Sequence, residues 1–163
     1  NDYLRPFVGG CIVIVMTLIV GNRDYNGSGV NIIEKAMNGE AVGFAFLLKI
    51  IFTAVTIGSG FRGGEIVPTM FIGSTLGCTA AHILGFDPCF GAALGIAAMF
   101  CGVVNCPMAS LALAAELFGG GGILFFAAAI SVSYVLSGYY GLYSSQKIMY
   151  SKLHAKFINR DVI

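Results

Sequence analysis

Three observations predict an all-α polytopic membrane fold with short and broken helices. The 163-residue chain is 57% hydrophobic and only 10% charged, where soluble domains carry about 25% charged residues. The charges are segregated: between Glu65 and Lys147 only Asp87 and Glu116 are charged. A soluble fold of this size has too much surface to keep so many residues from water. Glycine and proline also cut the apolar sequence into runs, several shorter than the roughly 20 residues of a plain crossing.

The first apolar run, Phe7 to Gly21, is just short of a span. Residues 22–40 are polar and glycine-punctuated. Within them, residues 31–37 read as a short helix that Asn38-Gly39 ends. The second run, Ala41 to Gly58, is interrupted only by Lys49, whose stem is expected to snorkel. The third runs from Ile66 to Phe86. The fourth, Cys89 to Phe118, is too long for one span, and Asn105-Cys106-Pro107 splits it into helices near 89–104 and 107–118, because proline starts helices more readily than it continues them. Gly119 to Gly122 closes the second of these, and the last run is Ile123 to Tyr143. Gly73/Gly77 and Gly91/Gly95 have the spacing that lets helices approach closely. Broken apolar segments of this kind point to half-helices that meet at a substrate site inside the membrane.

Residues 1–146 therefore read as a partial transmembrane domain, and 147–163 as a basic tail. Lys147, Lys152, Lys156 and Arg160 stand there against Asp161. The positive-inside tendency puts this C-terminus in the cytoplasm; an amphipathic helix lying on the membrane surface is compatible with that. A net charge of +1 suggests no nucleic-acid partner. Five cysteines without CxxC spacing argue against a disulfide framework or a zinc site, and they read as small buried hydrophobes. No metal or other cofactor is expected. The start Asn1-Asp2-Tyr3 has no initiator Met and no signal peptide pattern, so the chain reads as a piece of a longer protein.

The most constrained stretch is Gly58-Ser59-Gly60-Phe61-Arg62-Gly63-Gly64-Glu65-Ile66-Val67-Pro68. Pro68 suits the first turn of a helix, where its missing N–H costs nothing. The loop thus delivers a bare helix N-terminus to the edge of an apolar environment, which is a site for an anion.

Gly63-Gly64-Glu65-Ile66-Val67-Pro68, followed by Thr69 to Gly77, resembles the Gly-x-Phe-x-Pro region of the voltage-gated chloride channel (CLC) family. Three more stretches fit in order: Gly27 to Ile33, Asn105-Cys106-Pro107 with Glu116, and Leu142-Tyr143-Ser144. The resemblance implies the second, incomplete inverted half of a CLC-type membrane domain. It implies transport of chloride or fluoride, with or without proton exchange, by a homodimer in the lipid bilayer, in the plasma membrane. It also implies a missing N-terminal half that carries the family's gating glutamate and serine loop. The anion contacts it implies are the segment Gly64 to Val67, through the N–H groups of Ile66 and Val67, and the Tyr143 hydroxyl. Arg62, Pro68, Pro107 and Glu116 are implied as structural or gating-adjacent, with the Glu116 carboxylate bonded to backbone. Taken alone, Tyr143 reads as an interfacial tyrosine beside Tyr139, Tyr140 and Tyr150.

The sequence departs from the common family pattern at Glu65, where most members are apolar. A carboxylate beside an anion site repels the ion unless it is protonated or turned away. Either Glu65 pairs with Arg62 and pins the loop, or it handles protons or a small basic anion, as in a fluoride/proton antiporter branch that also has Glu here. His82, at a helix end, reads as a loop hydrogen-bonding residue. The rivals from other classes are a membrane enzyme, for which two distant histidines give little support, and a cation carrier with Glu65 and Glu116 as ligands.

Overall fold

The structure, a computed structural model, describes residues 4–40, 43–143, 145–154 and 156–162. Helix α1 spans Leu4–Val20, α2 Val30–Met37, α3 Ala45–Gly58, α4 Ile66–Leu84, α5 Pro88–Val104, α6 Pro107–Phe118 and α7 Ile123–Leu136. A short 3-10 turn, Gly120–Gly122, precedes α7, and two strands follow it, β1 Lys147–Tyr150 and β2 Phe157–Asp161. Among the described residues only α4, at 19 residues, is long and apolar enough to cross a membrane alone. The other apolar helices have 10–17 residues, as the short runs predict.

The helix ends follow local chemistry. Asp87 caps α5, its carboxylate accepting from the N–H groups of Cys89 (3.3 Å) and Phe90 (3.2 Å), with Pro88 opening the first turn. Asp87→Ala is expected to cost about 1 kcal/mol, read as a lowered thermal unfolding midpoint. At the other end of α5, Asn105 is left-handed at φ 56°, and Pro107 starts α6. Left-handed backbone is tolerated by few side chains besides glycine, asparagine among them, so the split falls where the sequence places it. Asn105 is also buried. Its Nδ2 donates to the Tyr140 carbonyl, and its Oδ1 accepts from Ser137 Oγ (3.2 Å) and from Lys152 Nζ.

Helices α4 and α5 form the centre, running antiparallel with Gly73 against Gly95 and Gly77 against Gly91. A Cβ on Gly95 would stand 2.0 Å from the Gly73 carbonyl oxygen, and one on Gly77 2.2 Å from that of Gly91. The two backbones therefore touch. Ala93, Ala97 and Cys101 of α5 pack with Ala114, Phe126 and Ile130 from α6 and α7. A second cluster joins Tyr25, Ile32, Ala45, Phe52 and Phe71, from the α1–α2 loop, α2, α3 and α4. Large apolar side chains at Phe7, Leu18, Ile19, Leu124 and Leu136 point outward. That is how helices look when hydrocarbon, not water, is their solvent.

Two expectations need correction. The last helix ends at Leu136 and does not reach Tyr143; Gly138 takes a positive φ of 58° just beyond it. The tail does not form an amphipathic helix. β1 and β2 pair antiparallel, Lys147 with Asp161, Ile148 with Arg160 and Tyr150 with Phe157. Aromatic and β-branched residues favour a pleated strand, and the Tyr150 and Phe157 rings meet edge to face at 5.7 Å. The fold is mostly helical, with this hairpin as its exception. Lys152, between the strands, folds back onto the helices. Its Nζ donates to the Tyr134 carbonyl (2.8 Å), to Ser137 Oγ (3.0 Å) and to Asn105, and sits 4.1 Å from the Tyr134 ring centre. Burial pushes its ammonium below the ordinary lysine value. One of the tail's four basic residues is thus spent on the protein's own helix ends.

Candidate functional site

The chain leaves α3 through Ser59 and a left-handed Gly60 (φ 88°) and re-enters helix at Ile66. Glu65 is the N-cap of α4, and its carboxylate makes no capping hydrogen bond. The first N–H groups of a helix have no intrahelical acceptor, and Pro68 has none to offer. The N–H groups of Ile66 and Val67 are therefore left over at the positive end of the α4 dipole, worth roughly half a unit charge.

This terminus opens on a cavity of about 670 Å³. Its walls come from α1, from Tyr25 to Ser28 in the α1–α2 loop, from the Lys49, Thr53 and Thr56 face of α3, and from Arg62 to Glu65 with Val67 and Pro68. Gly64, Glu65, Val67 and Pro68 are thus brought together. Ile66 is half-buried and is not part of the wall. Arg62 reaches the cavity but is exposed. No ion pair joins it to Glu65 among the described residues, so the pin between them is not formed.

Lys49 does not snorkel. It is 2% exposed, and its Nζ donates to the carbonyls of Tyr25 (3.1 Å) and Gly27 (2.6 Å) and stands 5.0 Å from the Phe71 ring centre. The loop between α1 and α2 has carbonyls without ladder partners, and buried carbonyls require donors. Lys49 supplies them and lines the cavity. One sequence signal pointed this way. Lys49 lies four residues after Ala45 and three before Phe52, which makes one helical face, and Ala45 and Phe52 are both buried.

Tyr143 is 45% exposed and does not line the cavity. Leu142 N–H donates to the Val103 carbonyl (2.9 Å), at the C-terminal end of α5. Since α4 and α5 are antiparallel, that is the end where α4 begins. The structure thus brings Tyr143 to the right end of the molecule without a described contact to the loop. Its neighbour Ser144 lies outside the described residues. Pro107 opens α6. Glu116 is exposed on α6 and makes no hydrogen bond among the described residues, so its carboxylate is not tied to backbone. His82 is also exposed, with Nδ1 3.1 Å from the Cys78 carbonyl of its own helix and not from a loop. Cys78 and Cys101 are buried as expected, whereas Cys11 is exposed. Among the described residues no group of three His, Cys, Asp or Glu is placed to hold a metal.

The arrangement has known counterparts. The family profile described as "Voltage gated chloride channel" matches residues 1–138. A "Chloride/fluoride channel protein" of Pseudomonas syringae pv. tomato is 36% identical over 157 residues, 93% of this chain and 35% of that protein. An "H(+)/Cl(-) exchange transporter ClcA" of Vibrio cholerae is 26% identical over 121 residues, 68% of this chain and 25% of its own length. The crystal structure of a CLC-type fluoride/proton antiporter superposes with a TM-score of 0.83 at 32% identity, covering 88% of this chain and 36% of that one. The chain spans between a quarter and about a third of the length of these relatives. Bare α4 terminus, broken α5–α6 helix and glycine-tight helix pair all lie within the matched residues, and the chain belongs to the voltage-gated chloride channel family.

Proposed function

We propose that this chain is the later part of a transporter for small inorganic anions, in which the α4 N-terminus holds the ion. One observation carries the reading: the α4 N-terminus, with N–H groups that have no helical acceptor, borders through Gly64, Glu65 and Val67 a cavity in which Glu65 is the sole acidic residue among the described ones. Backbone dipoles bind an anion weakly enough to release it, and conduction requires such weak contacts. Glu65 favours proton-coupled exchange over a plain channel, and fluoride over chloride, because a carboxylate at the ion's own binding end competes with it and carries a proton. Two relatives are named for fluoride, which supports the same branch. The working protein is read as a homodimer in the plasma membrane, with α6 and α7 at the dimer face and the hairpin in the cytoplasm.

The test is flux from liposomes holding the full-length protein. Efflux that follows halide identity supports the proposal, and efflux that follows the cation and ignores the halide refutes it. The 163-residue chain reconstituted alone is expected to carry no chloride. Tyr143→Phe is expected to weaken anion binding only modestly, by about 1 kcal/mol for one hydroxyl. Unchanged binding by calorimetry removes Tyr143 from the site.

A further inference from the structure

Lys49 offers three N–H donors, and the Tyr25 and Gly27 carbonyls take two. One donor and the whole charge remain for the cavity it lines. No carboxylate lies within ion-pair distance of it among the described residues. A buried charge without a counter-charge is costly, and a neutral donor would satisfy the same two carbonyls without that cost. Lys49 and Arg62 against Glu65 leave the wall with a surplus positive charge. The ammonium also lies close to α4, 5.0 Å from the Phe71 ring centre. Phe71 is five residues into the helix, about 7.5 Å along its axis from Ile66. The two carbonyls hold the ammonium to the α1–α2 loop, so it is not a direct ligand at the bare helix end.

We propose that Lys49 is a second anion-attracting group of the cavity, drawing the ion in and handing it to the α4 terminus. The proposal rests on the reading of that terminus as the anion site. It assigns to Lys49 the capture of the ion and not the rate of its passage.

The experiment measures flux against anion concentration in liposomes of the full-length protein. Lys49→Gln retains a donor for the carbonyls and removes the charge. It is expected to raise the half-saturating anion concentration about tenfold while maximal flux stays within about twofold. Lys49→Arg, which keeps the charge, is expected to restore half-saturation to within about twofold of the parent. A lysine that only pins the loop would lower maximal flux or the yield of folded protein and leave half-saturation unchanged, and that result overturns the proposal. Should Lys49→Gln not fold, Asn26→Asp decides. Asn26 is exposed, lies between the two carbonyls that bind Lys49, and its Oδ1 already accepts from Thr17 Oγ1 (3.1 Å). The substitution keeps that acceptor and adds a negative charge to the cavity wall that Asn26 shares with Lys49. Half-saturation raised about threefold supports the proposal, and no change overturns it. Parent protein without anion flux would instead refute the transport reading itself.

Discussion

Gly77→Ala is expected to lower the thermal unfolding midpoint by about 6–12 °C, the shift that about 3 kcal/mol produces in a domain of this length. The added methyl would lie 2.2 Å from the Gly91 carbonyl oxygen and 3.0 Å from the Gly95 Cα. These are backbone atoms, which cannot rotate aside as a side chain does. The helices must move apart, and overpacking of this sort costs about 1–3 kcal/mol even where side chains adjust. Separation also loosens Gly73 from Gly95, because the same pair of backbones touches there. Gly120→Ala is the control: nothing lies within 4 Å of a Cβ at that position. Both variants are followed by melting in detergent. Equal midpoints for the two would show that the close approach of α4 and α5 does not support the fold.

Glu65→Gln is expected to lower the half-saturating anion concentration about fivefold. The side chain keeps its shape and loses its charge at the helix terminus. A carboxylate there interacts with the dipole by about 1 kcal/mol, and a transported anion uses the same dipole, so removing one competitor favours the other by a similar factor. A half-saturating concentration in the full-length protein that is the same with either residue would reduce Glu65 to a loop residue.

The helical part of the fold was legible because its boundaries are local. Asn105-Cys106-Pro107 carries its own break, in the left-handed asparagine and the proline that opens α6. The same holds for Gly58 to Pro68, whose glycines and proline announce a bare terminus before any tertiary contact is known. Lys49 shows the limit. In sequence it is one cation in an apolar run, and snorkelling is the general solution for such a residue. The carbonyls that hold it lie 24 and 22 residues away, and nothing near Lys49 announces them. The tail failed for a related reason. Its basic residues read as a cytoplasmic tail compatible with a surface helix, but Lys152 is drawn inward by carbonyl and hydroxyl oxygens at the ends of α5 and α7, while Tyr150 and Phe157 close the hairpin. The apolar run from Ile123 to Tyr143 overshot because hydropathy does not register that Gly138 turns the chain.

Asn105 has a consequence for which residues this family member can accept at that position. One side chain terminates α5 in left-handed backbone, donates to Tyr140, and accepts from Ser137 and Lys152. Glycine would keep the backbone and lose every bond. Aspartate would keep both acceptances and set a charge against the Tyr140 carbonyl. Glutamine would keep the amide, but left-handed backbone suits it less well than it suits asparagine. The position is a junction at which helix end, broken span and terminal hairpin share one amide, so drift at any of the three must pass through asparagine or rebuild them together.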